Sequence, residues 1–386
     1  MEFSANVASL EPSATLAIAA RAKKMRSEGH SVIDLSAGEP SFPTPQVGID
    51  AGVAYVQSGK AGYPPTPGTP ELRKAVADYV NATTAHAAVV PGDVLVSAGV
   101  KQALFNVSYC LFGAGDEVLI PAPFWPTYLA VVELSGARPV IVPTAWEDRF
   151  RLNVEELERK RTAATRGLFI NSPCNPSGST YDLELLHEIS DWCVEHDVWL
   201  VSDEIYRRLS YEGHSAPSVY DVAGRGEKVV HLDGVSKAFS MPGWRIGYAC
   251  GPTQLIAKAS ALQSQTTSGA AGPSQAAAAA VLASPDRDRI VSAFRETLDR
   301  RRMMAFGALR DVDGLDVFAP SGAIYLYVRL KDTRDSMSVA EDLLVQAGVA
   351  SIPGEPFGTP GFLRLNYAVS DEELAEGLSR IVSFFS

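Results

Sequence analysis

Between residues 93 and 250 the chain returns repeatedly to short, mostly apolar runs, with helical spacing between several of them. The runs are Asp93–Ser97, Glu117–Ile120, Pro139–Val142, Leu168–Ile170, Val198–Ser202, Lys228–Leu232 and Ile246–Cys250. A strand with one wet face alternates apolar and polar residues. A run that is apolar at nearly every position is buried on both faces. Helical stretches such as Lys101–Phe112 and Leu183–His196 lie between the runs. The alternation predicts an α/β fold with a mostly parallel central sheet and helices on both of its faces.

The flanking segments read differently. Pro12 and Ser13 make a helix start, and the spacing predicts a helix from Ser13 to about Arg26. The alanine run at 276–280 reads as a helix interior. Beyond it come a long charged helix over about Arg287–Leu309, a strand over Ala323–Leu330, a helix near Val339–Ala347 and a strand over Phe362–Leu365. This predicts a smaller α+β domain. The expected division is an N-terminal arm and part of the small domain at 1–44, a large domain at 45–285 and the rest of the small domain at 286–386.

The 386 residues carry a net charge of −11, which argues against nucleic acid or an anionic membrane as the main partner. Cys110, Cys174, Cys193 and Cys250 are scattered without ligand or disulfide spacing, and the six histidines form no metal motif. The N-terminus lacks the basic start and apolar run of a signal peptide, and no apolar stretch approaches ~20 residues. A cytoplasmic protein without a metal site is expected.

In an open α/β sheet ligands bind beyond the carboxyl ends of the strands, so the residues following the apolar runs are the candidates for chemistry. After the first run comes Ala98-Gly99-Val100-Lys101-Gln102, opening a helix. Free N–H groups at such a start suit a phosphate. The second is followed by Pro121-Ala122-Pro123-Phe124-Trp125-Pro126, the fourth by Asn171-Ser172-Pro173-Cys174-Asn175-Pro176-Ser177-Gly178, and the fifth by Asp203-Glu204-Ile205-Tyr206. Between the last two runs lies Gly234-Val235-Ser236-Lys237-Ala238-Phe239-Ser240-Met241-Pro242-Gly243-Trp244-Arg245-Ile246-Gly247. A lysine that forms an imine with an aldehyde cofactor needs small neighbours. A cofactor phosphate needs a fixed cation, and a guanidinium supplies one.

The 234–247 segment matches the lysine signature of the class I aminotransferases, pyridoxal phosphate (PLP) enzymes of fold type I, and the resemblance runs from about Pro12 to Tyr367. It implies that Lys237 holds PLP as an imine and moves the substrate proton, and that Arg245 with Gly99, Val100 and Lys101 holds the phosphate. It places Trp125 over the cofactor face, Asn175 and Tyr206 on the phenolic oxygen, and Asp203 on the protonated ring nitrogen. Ser36-Ala37-Gly38-Glu39-Pro40 resembles a loop whose glycine N–H meets the substrate carboxylate, a group also contacted by the counterparts of Asn175 and Trp125. Arg364, in Phe-Leu-Arg-Leu-Asn-Tyr, matches the arginine that grips that carboxylate as a fork. Tyr63, with Gly68, Leu72 and Arg73, matches a segment whose tyrosine reaches the partner subunit's phosphate. A homodimer is therefore implied.

Within the family the chain looks closest to the thermophile-type bacterial aspartate aminotransferases, with three departures. Gly234 stands where a phosphate-binding serine is common. Cys174 replaces an Asn or His, and Glu11 stands where some dicarboxylate-active relatives carry lysine. Animal-type relatives bind the distal carboxylate with an arginine near residues 262–275, yet no Arg or Lys lies between Lys258 and Arg287. In the thermophile type the counterpart of Lys101 takes that role. The resemblance thus implies aspartate or glutamate as donor and 2-oxoglutarate or oxaloacetate as acceptor, with prephenate as a further acceptor. Two other readings are carried: a β- or γ-eliminating lyase of the same fold, and a non-enzymatic PLP-binding regulator domain. The short segment before Gly38 and the acidic charge speak against the regulator.

Overall fold

The apolar runs form the strands of one seven-stranded sheet. The computed structural model describes residues 7, 14–60, 62–211, 215–331 and 334–386. In chain order the strands are β1 (Ile33–Asp34), β2 (Val94–Ser97), β3 (Glu117–Pro121), β4 (Arg138–Val142), β5 (Thr165–Asn171), β6 (Trp199–Asp203), β7 (Val229–Gly234), β8 (Gly247–Cys250), β9 (Leu315–Asp316), β10 (Tyr325–Leu330), β11 (Val349–Ala350), β12 (Ile352–Pro353) and β13 (Phe362–Asn366). The large sheet has the order β2-β8-β7-β6-β5-β3-β4. Neighbours from β7 to β4 run parallel. Only β8 is reversed, antiparallel to both β7 and β2. The connection from β7 to β8 contains the short 3-10 turn Pro242–Trp244 and no α-helix, so it makes no helical crossover and the chain returns antiparallel.

The continuous apolar runs have a direct cause. Successive strand residues point to opposite faces, and here both faces are covered. Ile120, Phe169, Val201 and Val230 enter one hydrophobic cluster, while Leu119, Leu168, Leu200 and Val229 enter the other. The first cluster continues through Leu298, Leu326, Leu365 and Leu378, so one face of the large sheet shares its core with the C-terminal elements. The edge strand β4 is the exception, with Arg138 and Ile141 exposed.

The C-terminal part builds a four-stranded antiparallel sheet, β12-β13-β10-β9, contacted by helices Arg287–Leu309 and Ser336–Ala347, while helix Asp371–Phe385 packs on Arg287–Leu309 and on the two-stranded sheet β1-β11. The expected strand at Ala323 starts at Tyr325, because Ala323 has φ +62° and cannot continue a strand. The first helix spans Ala14–Ser27, while Glu11, Pro12 and Ser13 lie outside the described residues. The sequence reading did not delimit helices Gln46–Gln57, Pro70–Thr83, Thr253–Ser264 and Asp371–Phe385. Two have clear start signals: Thr69 accepts from Leu72 N before Pro70, and Ser370 forms a capping box with Glu373. Among the described residues no helix is long and apolar enough to cross a membrane, and no cluster of His, Cys, Asp and Glu could hold a metal ion.

Candidate active site

β5, β6 and β7 run further than their apolar cores, and this places polar groups inside the ladder. Asn171 and Asp203 are the last residues of β5 and β6 and pair with each other. Asn171 donates from Nδ2 to the Asp203 carbonyl (2.8 Å) and accepts the Asn175 N–H at Oδ1 (2.8 Å). The two strand ends thus fix the loop that carries Asn175. Asp203 is 4% exposed. Its Oδ2 accepts from the Tyr128 hydroxyl (2.8 Å) and its Oδ1 from Ile205 N (3.2 Å). Both partners are neutral, and no ion pair to Asp203 exists among the described residues. Burial pushes its pKa up to about 6, against the two hydrogen bonds. Such a carboxylate favours a cation placed against it.

A cavity of about 440 Å³ opens beyond these strand ends. It brings together Gly38, Val100, Lys101, Trp125, Asn175, Asp203, Tyr206, Lys237, Arg245 and Arg364, all expected from the sequence. Lys237 Nζ donates to the Gly38 carbonyl and lies 5.7 Å from the Tyr206 ring centroid. Burial lowers the Lys237 pKa to about 8, Glu39 opposing and Arg364 and Arg245 adding to the shift.

Gly99 caps the helix Val100–Leu111 with φ +87°. The first N–H groups of a helix have no intrahelical acceptor, and those of Val100 and Lys101 open this one beside the cavity. Arg245, itself left-handed at φ 55°, reaches over Gly99 and donates to the Ala98 (3.3 Å) and Pro242 (3.1 Å) carbonyls. Lys101 places its ammonium 5.0 Å from the Trp125 ring centroid. Partial burial lowers its pKa, and Arg245 adds to that.

Arg364 arrives from the small sheet. It is buried on β13, donates to Asn175 Oδ1 (2.9 Å) and the Ser36 carbonyl (2.7 Å), and stacks on Tyr325 and Phe357, 4.3 and 5.2 Å from the ring centroids. Its Nε has no partner among the described residues. A buried guanidinium that lines a cavity and keeps one N–H unpaired is suited to an acid.

Tyr63 is the predicted residue that the chain does not bring in: it is 96% exposed and does not line the cavity. The structure also gives a reason for Gly234. A Cβ there would lie 2.8 Å from the Ile246 carbonyl oxygen and 2.9 Å from Gly247 Cα, so the backbone of β8 occupies the space of a side chain. Sequence reasoning missed Tyr128 and Tyr325, both cavity residues. Tyr128 had a local signal, one turn after Trp125. Tyr325 had none.

The family model "Aminotransferase class I and II" matches residues 30–381. The chain belongs to that family. This aminotransferase is 39% identical to the aspartate aminotransferase of Streptomyces avermitilis, covering 99% of this chain and 96% of that one. It is 37% identical to the probable aspartate/prephenate aminotransferase of Aquifex aeolicus, covering 98% and 97%. The solved aspartate aminotransferase of Thermus thermophilus with maleate is 38% identical, with a TM-score of 0.95 over 99% of both chains. The aminotransferase is therefore a PLP-dependent fold type I enzyme that acts on amino acids and keto acids, and the lyase and regulator readings are not favoured. The cavity fits PLP on its own terms: a buried amine, a cation-seeking carboxylate and an open helix start face one space.

Proposed function

We propose that this aminotransferase takes aspartate or glutamate as donor and 2-oxoglutarate or oxaloacetate as acceptor, with prephenate as a further acceptor, by a ping-pong mechanism. The observation that carries the reading is a pair of cations, Arg364 and Lys101, in the same cavity as the Lys237 amine. One cation suits the α-carboxylate common to all substrates. The second suits a distal carboxylate. The names of the Streptomyces and Aquifex relatives and the dicarboxylate maleate on the Thermus protein support this.

PLP, when bound, supplies the aldehyde carbon that receives the amino group and a ring that takes up the electron pair left at the substrate Cα. Arg245 and the helix start at Gly99, Val100 and Lys101 would hold its phosphate. Asp203 would hold the proton on its ring nitrogen, Tyr206 and Asn175 would bind its phenolic oxygen, and Trp125 would cover its face and exclude water. Arg364, Asn175 and the Gly38 N–H bind and orient the substrate carboxylate. Lys237 acts as the general base: with a pKa of about 8 it holds a useful fraction of neutral amine near neutral pH, and takes the proton from the substrate Cα. The test is a panel of amino donors against 2-oxoglutarate. Aspartate and glutamate should lead in kcat/KM; a lead by neutral or aromatic donors would sink the dicarboxylate reading.

The active unit is proposed to be a homodimer with shared sites. Tyr63 is exposed here, as are Val53 and Val56 on helix Gln46–Gln57. Mixing Lys237→Ala with Tyr63→Ala protein should restore activity, because each heterodimer then holds one intact and one doubly damaged site. A fully active monomer at low concentration would refute this. The division into a large domain at 45–285 and a small domain built from 1–44 and 286–386 is supported by the three sheets: the seven-stranded one lies within 94–250, the four-stranded one within 315–366, and the two-stranded one pairs β1 of the N-terminal part with β11 of the C-terminal part. A reducing cytoplasm suits the four free cysteines.

A further inference from the structure

Two phenols meet where the two sheets converge on the cavity. Tyr206 follows the end of β6 and Tyr325 opens β10. Their hydroxyl oxygens are 2.7 Å apart, their ring centroids 5.7 Å, and both side chains are buried. The face of Tyr325 lies against the Arg364 guanidinium, which is itself held by Asn175 and Ser36. Its hydroxyl also stands so near Gly38 that a Cβ on that glycine would lie 3.2 Å away. The Tyr325 hydroxyl is thus held by neighbours on several sides.

A phenol carries one proton. In a pair of phenols joined by one hydrogen bond, one donates and the other keeps its proton for a third group. Burial pushes both tyrosines up from the usual phenol range, so both keep their protons. If Tyr206 accepts from Tyr325, its own proton is free to point into the cavity. Chained hydrogen bonds of this kind polarise and strengthen one another.

We propose that Tyr325 is a positioning residue that donates to Tyr206 and so commits the single Tyr206 proton to the phenolic oxygen of bound PLP. This rests on the reading of Tyr206 given above. The charged groups facing the pair are Lys237, Arg364, Asp203 and Glu39. Tyr325→Phe removes one oxygen and leaves all four in place.

The experiment is a visible-absorbance pH titration of the bound cofactor in four holoenzymes: wild type, Tyr325→Phe, Tyr206→Phe and the double variant. Losing a donor makes the phenolic oxygen more basic, so the apparent pKa should rise. Tyr325→Phe should raise it by roughly 0.2–0.6 pH unit, the size of a cooperative gain on one charge-assisted hydrogen bond. Tyr206→Phe should raise it further, and the double variant should match Tyr206→Phe alone, because Tyr325 acts only through Tyr206. A shift with Tyr206→Phe but none with Tyr325→Phe overturns the inference and spares the reading of Tyr206. A double variant displaced beyond Tyr206→Phe also overturns it, since Tyr325 would then act independently. If neither single variant moves the titration, the reading of Tyr206 falls and the inference with it.

Discussion

Gly99 lies directly beneath the Arg245 guanidinium: a Cβ at Gly99 would come within 2.3 Å of Arg245 Nη2. The glycine is required twice, once for its φ of +87° and once for this contact. Gly99→Ala should therefore displace the arginine from the helix start without unfolding the sheet behind it. A charge-assisted hydrogen bond to phosphate contributes about 1.5–3 kcal/mol, so the affinity for PLP should fall roughly ten- to a hundredfold. Equilibrium titration of the cofactor-free protein with PLP measures this. Unchanged affinity would remove Arg245 from the phosphate site.

Lys237→Ala should abolish turnover while leaving the fold intact, since one amine serves both to hold the cofactor and to move the proton. Borohydride reduction of the wild-type holoenzyme should attach the cofactor to the peptide containing Lys237. The rate at which cofactor-free protein captures PLP should climb with pH around a midpoint near 8, because the neutral amine is the nucleophile and burial has brought its pKa to about 8. A midpoint near that of free lysine would contradict the buried environment.

Asp203 predicts an effect on stability with a definite sign. Burial raises its folded pKa to about 6 from the ordinary aspartate value of 3.8, so the fold favours the protonated acid. Ionising it inside the cofactor-free protein weakens the fold as pH rises from about 4 to 6, and the loss persists above that range. Relative to wild type, Asp203→Asn should gain stability between pH 4 and pH 7, by on the order of 1–3 kcal/mol. Denaturant melts of cofactor-free protein at both pH values read the difference; no pH dependence would mean that the carboxylate is already neutralised. In the holoenzyme the same change should slow the proton-abstraction half-reaction severely while PLP stays bound.

Lys101 should separate acidic from neutral donors. Its ammonium is partly desolvated above Trp125 and repelled by Arg245, so an incoming carboxylate finds an under-neutralised cation. Lys101→Ser should lower kcat/KM for aspartate and glutamate by roughly ten- to a hundredfold, equal to about 1.4–2.8 kcal/mol. A neutral donor should lose much less. Equal losses for both donors would confine Lys101 to the phosphate cradle.

Local chemistry made much of this protein legible before folding. Runs apolar at nearly every position announce strands buried on both faces, and Leu119 and Ile120, entering opposite clusters, show why. The polar residues that end those runs had to gather at one edge, because parallel strands all present their carboxyl ends there. Asp203, Asn175, Lys237 and the Gly99 helix start could thus be read as one site from their order along the chain. What short-range patterns could not decide were contacts between distant segments. Tyr128 meets Asp203 across 75 residues and Tyr325 meets Tyr206 across 119; the place of Tyr128 one turn after Trp125 hints at the site but not at its partner, and nothing local marks Tyr325. The meaning of Gly234 also waited on the fold: in sequence it reads as a lost hydroxyl, but in space the β8 backbone fills the position where any Cβ would go. Strand patterns report burial, which each segment carries in its own residues. The hydrogen bonds that tune the site depend on where a second sheet comes to rest, and only packing of the whole chain determines that.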